Sequence, residues 1–273
     1  MSAAPRHATV DPGGFVVRPD GTVVGDDGAA GALATALPYT GRLARRMGEL
    51  VDAGDLRAME AVGLARLTVG VTWTPAAEGT YRARVTPLDA RTVPTYTVVG
   101  AVDTSAAVHH CLGRIMTVGG VRWSSVVTAG SRVVASQGEG QELHHLAEVG
   151  NRMLGILRSL EDRHTTGFIR LRFEQADLVG ASLGRHALVA CAVSAADADL
   201  VAMFDEVRAV LAGHDLSTVP TGPDPSTGAV PVAEPAAESP QPVPSPPPLV
   251  GARFAGAGER VRRTRRRPLF GSR

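Results

Sequence analysis

Side chains able to do chemistry are spread thinly along these 273 residues, and few of them share a useful spacing. Two pairs of adjacent histidines stand out, His109-His110 and His144-His145. Neighbours on a helix point about a third of a turn apart, and no second histidine or cysteine follows at the three- or four-residue step. Surface or partly buried histidines are therefore favoured over a metal site. The carboxylates of Glu139, Glu142 and Glu148, and of Asp197, Asp199 and Asp205, gather near helix starts, where capping and the helix dipole suit them better than acid-base work. Cys111 and Cys191 each lie in an apolar segment. They are too few for a disulfide framework or a thiolate metal site, and read as small core residues. Lysine is absent, so all 28 basic residues are arginine. That excludes a phosphate-binding loop ending in Gly-Lys-Ser/Thr and any lysine Schiff base. Gly138-Glu139-Gly140 would put a carboxylate where a phosphate must bind, and reads as a turn entering a helix. With no nucleophile beside a base, the expectation is a non-enzymatic chain without cofactor or metal. An aromatic content of 4% also argues against a base-stacking nucleic-acid surface.

What remains is arginine. Arg82 and Arg84, and again Arg170 and Arg172, alternate with apolar residues and so fall on the polar faces of two strands. They are candidates for a partner-binding or pairing face, or for salt bridges to helix carboxylates. A strand arginine of this kind can also stabilise charge in phosphoryl transfer. A second group, Arg262, Arg263, Arg265, Arg266 and Arg267, is followed at once by Leu269 and Phe270. It is a candidate tail for an anionic surface or for a partner pocket.

The elements that must carry these residues are clearest between Ala107 and Ala212. Helix, two strands, a longer helix, three strands and a final helix follow in that order. Leu143, Leu146, Gly150, Met153, Leu154, Leu157 and Leu160 make one apolar stripe at helical spacing. Ile169, Leu171 and Phe173 alternate with Arg170 and Arg172 as a strand does. Asp177 to Leu183 and the apolar run Ala187 to Val193 are two further strands, separated by Leu183-Gly184-Arg185-His186. Leu200, Met203, Phe204, Val207, Val210 and Leu211 are the core face of the closing helix.

Phe15 to Gly100 reads as a worn copy of the same order. Phe15-Val16-Val17, Pro19-Asp20-Gly21 and Thr22-Val23-Val24 form a hairpin, as do Val121 to Val127, Ala129-Gly130 and Ser131 to Ala135. A helix follows with Gly41, Leu43, Met47, Leu50 and Val51 in places similar to Gly150, Met153, Leu157 and Leu160, though Pro38 interrupts its approach. Three strands are then expected: Leu67 to Trp73, Tyr81 to Thr86, and Tyr96 to Val102, the last parallel to Ala187–Val193. The helix from about Ser105 to Met116 is read as ending one copy and beginning the other. Two such copies would mimic a dimer inside one chain.

From Ser217 to Pro248 the sequence is mostly Pro, Ser, Ala, Thr and Gly, too poor in large apolar residues to offset its ordering entropy. The near-neutral net charge of +1 conceals an asymmetry. Without the eight Arg and one Glu beyond residue 252, 20 Arg face 26 acids, an acidic body with a basic tail. The expected organisation is a disordered start over 1–12, a degenerate unit over 13–104 and a full unit over 105–213. A Pro-rich disordered linker follows over 214–252, and an Arg-rich disordered tail over 253–273. The start lacks an apolar signal core and no apolar run approaches a membrane span, so a cytoplasmic protein is expected, with peripheral membrane contact through the tail as the variant.

Val126-Val127 to Val133-Val134 with the Gly130 turn, Leu143 to Leu160, and Ala187 to Val193 leading through Asp197 and Asp199 into Leu200 to Leu211 together resemble the roadblock / dynein light-chain family. The resemblance implies an α+β fold, a five-stranded antiparallel sheet sandwiched between helices, with two such units side by side here. Family members pair through the long middle helix and the adjacent strand. Prokaryotic ones work with small Ras-like GTPases, as GTPase-activating or polarity-setting partners, and others are scaffolds. The implied function is therefore a regulatory adaptor for a small GTPase or another protein partner. The upstream copy puts homodimerisation in doubt and favours an intramolecular pair. The alternative is a scaffold tethered by its arginine tail to membrane, nucleic acid or an acidic protein.

Overall fold

The computed structural model describes residues 14–25, 31–88, 103–139, 142–161, 166–193 and 197–221. Ten strands form one sheet: β1 (Gly14–Val17), β2 (Val23–Gly25), β3 (Leu56–Gly63), β4 (Ala65–Trp73), β5 (Gly79–Pro87), β6 (Val121–Thr128), β7 (Val133–Gly138), β8 (Thr166–Phe173), β9 (Asp177–Leu183) and β10 (His186–Ala192). Four described helices flank it: α1 (Ala36–Leu50), α2 (Thr104–Met116), α3 (Leu143–Glu161) and α4 (Asp197–Leu211), with a 3₁₀ turn at Leu216–Thr218.

All strand pairs are antiparallel, in the order β2-β1-β5-β4-β3-β8-β9-β10-β6-β7. Each half is a hairpin, a long helix and three strands, and the order reads the same from either edge of the sheet. The two strands that directly follow the long helices, β3 and β8, meet at the centre. Met59 stands opposite Leu171, Ala61 opposite Ile169, and Glu60 opposite Arg170, with irregularities between Leu56 and Ala58 and between Val62 and Gly63.

Period-two alternation sends side chains to two separate cores. On one face, Val69, Val71, Tyr81, Ala83, Leu171, Ile169, Val127 and Val189 pack under α1 and α3, which lie against each other. On the other, Val126, Phe168, Val179, Leu188 and Ala190 pack under α2 and α4. The second half is thus a five-stranded sheet with helices on both faces, the α+β sandwich expected from the sequence. Close approach of the long helices depends on glycine. A Cβ at Gly150 would come within 2.4 Å of Val127, and one at Gly41 within 2.1 Å of the Tyr81 hydroxyl.

Several expectations need correction. The strand Leu56–Gly63 is absent from the sequence reading, because Leu, Arg, Ala, Met and Glu favour helices and the irregularity after Leu56 breaks the alternation. The three strands of the first half are accordingly β3, β4 and β5. The counterpart of β10 is β5, which pairs with β1 as β10 pairs with β6. The expected strand Tyr96–Val102 lies outside the described residues. Among the described residues, the main packing partners of helix α2 are β6, β7, α4 and the 3₁₀ turn, all in the second half, and none in the first. Pro38 falls in the first turn of α1, where its missing N–H has no intrahelical partner to lose. Residues 1–12, most of the 214–252 segment and all of 253–273 lie outside the description, and with them Arg262, Arg263, Arg265, Arg266, Arg267, Leu269 and Phe270.

Candidate partner-binding face

Register brings the four strand arginines onto one surface. Directly opposed residues of antiparallel strands share a face. Arg82 on β5 is opposite Gly70 on β4, Gly70 opposite Ala58 on β3, and Ala58 opposite Arg172 on β8. One row over, Arg84, Thr68, Glu60 and Arg170 follow one another in the same way. Three strand spacings of roughly 4.8 Å separate the arginines of each row, about 14 Å across. Between them lies a shallow floor of Gly70, Ala58 and Thr68.

This face is opposite α1 and α3. In the second half, α2 and α4 cover the same side of the sheet. In the first half no described helix covers it, and Arg66, Thr68, Gly70, Arg82 and Arg84 are exposed. Glu60 anchors the centre, with its carboxylate 3.2 Å from Arg66 Nε and 3.7 Å from Arg172 Nη2. Neither Glu60 nor Arg66 stands out in the sequence: Glu60 lies on the unexpected strand β3, and Arg66 just ahead of the expected start of β4 at Leu67.

The arginines divide by role. Arg170 is only 5% exposed, and its Nε donates to Asp177 Oδ2 at 2.7 Å, so its charge is committed to the centre of the sheet. Asp177, at the start of β9, thereby ties β8 to its neighbour. Arg172 is partly exposed and engages Glu60. Arg82 and Arg84 stand at the outer side of the floor, on the uncovered half. Cationic groups outnumber acidic ones here, and the exposed guanidinium forks can take carboxylates two-pronged.

Other candidate groups resolve into structure. Cys111 and Cys191 are buried, and burial pushes each thiol up to about 11. Asp103 caps α2 by accepting from the Ala106 N–H at 3.2 Å, and Glu148 pairs with Arg152 one turn on, at 2.6 Å. Arg114 of α2 meets Glu206 of α4 at 2.7 Å, clasping the two outer helices. A cleft beyond the β9–β10 turn is lined by Arg185, His186, Asp205, Arg208, His214 and Asp215. There burial, reinforced by Arg185, lowers the His186 pKa, while Asp215 is held low by hydrogen bonds from Ser217 and spends its carboxylate on that turn. No described helix is long and apolar enough to cross a membrane.

Among solved structures, the chain is similar to Myxococcus xanthus MglB, at 14% identity over 42% of this chain and 92% of that one, with a TM-score of 0.36. It is also similar to a Roadblock/LC7 domain from Streptomyces avermitilis, at 18% identity over 37% of this chain and 87% of that one, with a TM-score of 0.31. No family model and no curated protein matches the sequence. The roadblock-like arrangement lies in the fold of the second half: a hairpin, a long helix and three strands in a five-stranded antiparallel sheet, flanked by α3 on one face and by α2 and α4 on the other.

Proposed function

We propose that this chain is a non-enzymatic, roadblock-type adaptor that supplies both members of a pair from one polypeptide and offers the arginine-lined sheet face to a small Ras-like GTPase. The carrying observation is the central seam. The family resemblance implies pairing through the long middle helix and the adjacent strand, and here α1 lies on α3 while β3 hydrogen-bonds to β8. The first half acts as a second copy, and no described helix covers its outer face. That face is the broad, polar and cationic surface that an acidic partner face can fill.

The test is a calorimetric titration with a Ras-like GTPase encoded beside this chain, loaded with GDP or with a GTP analogue. Binding is expected in at least one nucleotide state, weakening about tenfold or more when Arg82 and Arg84 are both changed to Glu, since charge reversal in a contact costs more than truncation. No binding in either state would sink the reading. Deleting residues 251–273 in parallel isolates the tail. Unchanged affinity assigns binding to the sheet face, while lost affinity favours the tethered-scaffold alternative.

A further inference from the structure

The histidine pair His144-His145 has two carboxylates at helical spacing: Glu148, four residues after His144, is engaged by Arg152 and Arg46, whereas Glu142, three residues before His145, faces the pair. Glu142 immediately precedes α3, and its carbonyl accepts the first helical bond from the Leu146 N–H at 3.1 Å. Glu142 Oε2 lies 3.1 Å from His144 Nδ1, and the two imidazole centroids are 4.1 Å apart with planes tilted by 57°. One ligand atom from each of Glu142, His144 and His145 lies within 4.8 Å of the other two. No other group of three such residues gathers this way among the described residues.

We propose that Glu142, His144 and His145 form a binding site for a borderline divalent cation, zinc foremost. Two imidazoles and one carboxylate are a donor set that open zinc sites use, with water in the fourth position. Imidazole ligation selects zinc, nickel or copper over magnesium or calcium, which want oxygen donors. A tetrahedral ion with bonds near 2.0–2.1 Å needs its ligand atoms about 3.4 Å apart. The present spacing closes to that by small rotamer changes, and exposure of Glu142 and His144 leaves those side chains free to make them. Exposure also leaves room for the water. The Glu142 charge offsets the unfavourable placing of a cation at a helix N-terminus. Bound metal would clip the entry of α3 to its first turn, stiffening the helix that packs on α1. Glu142 stands three residues before His145, so the spacing of this site was legible in the sequence, but it was sought only after the histidines.

Zinc titrated into the full chain, free of any affinity tag and followed by calorimetry, tests the proposal. One equivalent is expected to bind, with affinity at least tenfold weaker in Glu142→Gln and in His144→Ala or His145→Ala. The double variant His109→Ala/His110→Ala, which removes an adjacent histidine pair of α2, is expected to bind zinc as the wild type does. All three positions are at the surface end of a helix, and far-ultraviolet circular dichroism confirms that each variant folds. The proposal is overturned if the wild type takes up no zinc, if the α3 variants bind as tightly as the wild type, or if loss of His109 and His110 weakens binding equally.

Discussion

Arg82, Arg84, Arg170 and Arg172 were legible in the sequence because strict alternation with apolar neighbours fixes the face a strand residue takes. Their separate fates were not, because burial and pairing depend on which strands become neighbours. Arg170 is buried and bonded to Asp177, whereas Arg82 is exposed. Changing Asp177 to Asn removes one carboxylate that pairs with the buried Arg170 guanidinium and is expected to cost roughly 3 kcal/mol in chemical denaturation. Changing Arg82 to Ala at its exposed position is expected to move stability by no more than about 0.5 kcal/mol while weakening partner binding. The cysteines behave as the sequence suggests. Burial raises both thiols to about 11, so at pH 8 a thiol reagent such as DTNB is expected to label neither until the chain is unfolded. Rapid labelling of the native chain would contradict that burial. His186 gives a pH signature of the opposite kind to a salt-bridged histidine. Its folded pKa is lowered from 6.5, chiefly by burial, so the unfolded chain takes up the proton first. Stability attributable to His186 is full above about pH 6.5 and falls as the pH drops through that value toward the lower folded pKa. Denaturation midpoints of His186→Asn are expected to show a shallower decline across this window.

At the scale of elements, long helices with one apolar stripe and strands with clean alternation could be read directly: α3, β4, β8 and β10 are where their patterns put them. The strand that determines the architecture could not. β3 carries Leu56, Ala58, Met59, Glu60 and Ala61, residues that favour helix in isolation, and its strand conformation comes from β4 on one side and β8 on the other. Losing that one strand displaced the repeat by a strand and hid Glu60, the hub of the arginine face. The seam is held on its other face by Met59 and Leu171, which stand opposite each other beneath the paired helices. Leu171→Ala is expected to cost about 2–5 kcal/mol, because neighbouring strands fix the backbone around the cavity. Gly150→Ala tests the helix-to-sheet approach from the opposite direction, since a methyl there collides with Val127 on β6. A loss of about 1–3 kcal/mol is expected, and a neutral or stabilising result would show that α3 has room to withdraw.

At the scale of the whole molecule, the strand order supplies a two-fold-like pair without a second chain. A strand edge left open in the middle of a sheet invites another copy, and here each half closes the other's edge. One consequence is asymmetry. The second half carries helices on both faces, whereas in the first no described helix covers Arg82 and Arg84, so among the described residues the two halves present different surfaces. The central claim is that one polypeptide provides both paired units, and light scattering coupled to size exclusion tests it most directly. A mass near the 28.3 kDa of one chain at micromolar concentration is the expected result. A stable species of twice that mass, dissociating only when the β3–β8 seam is mutated, would contradict it.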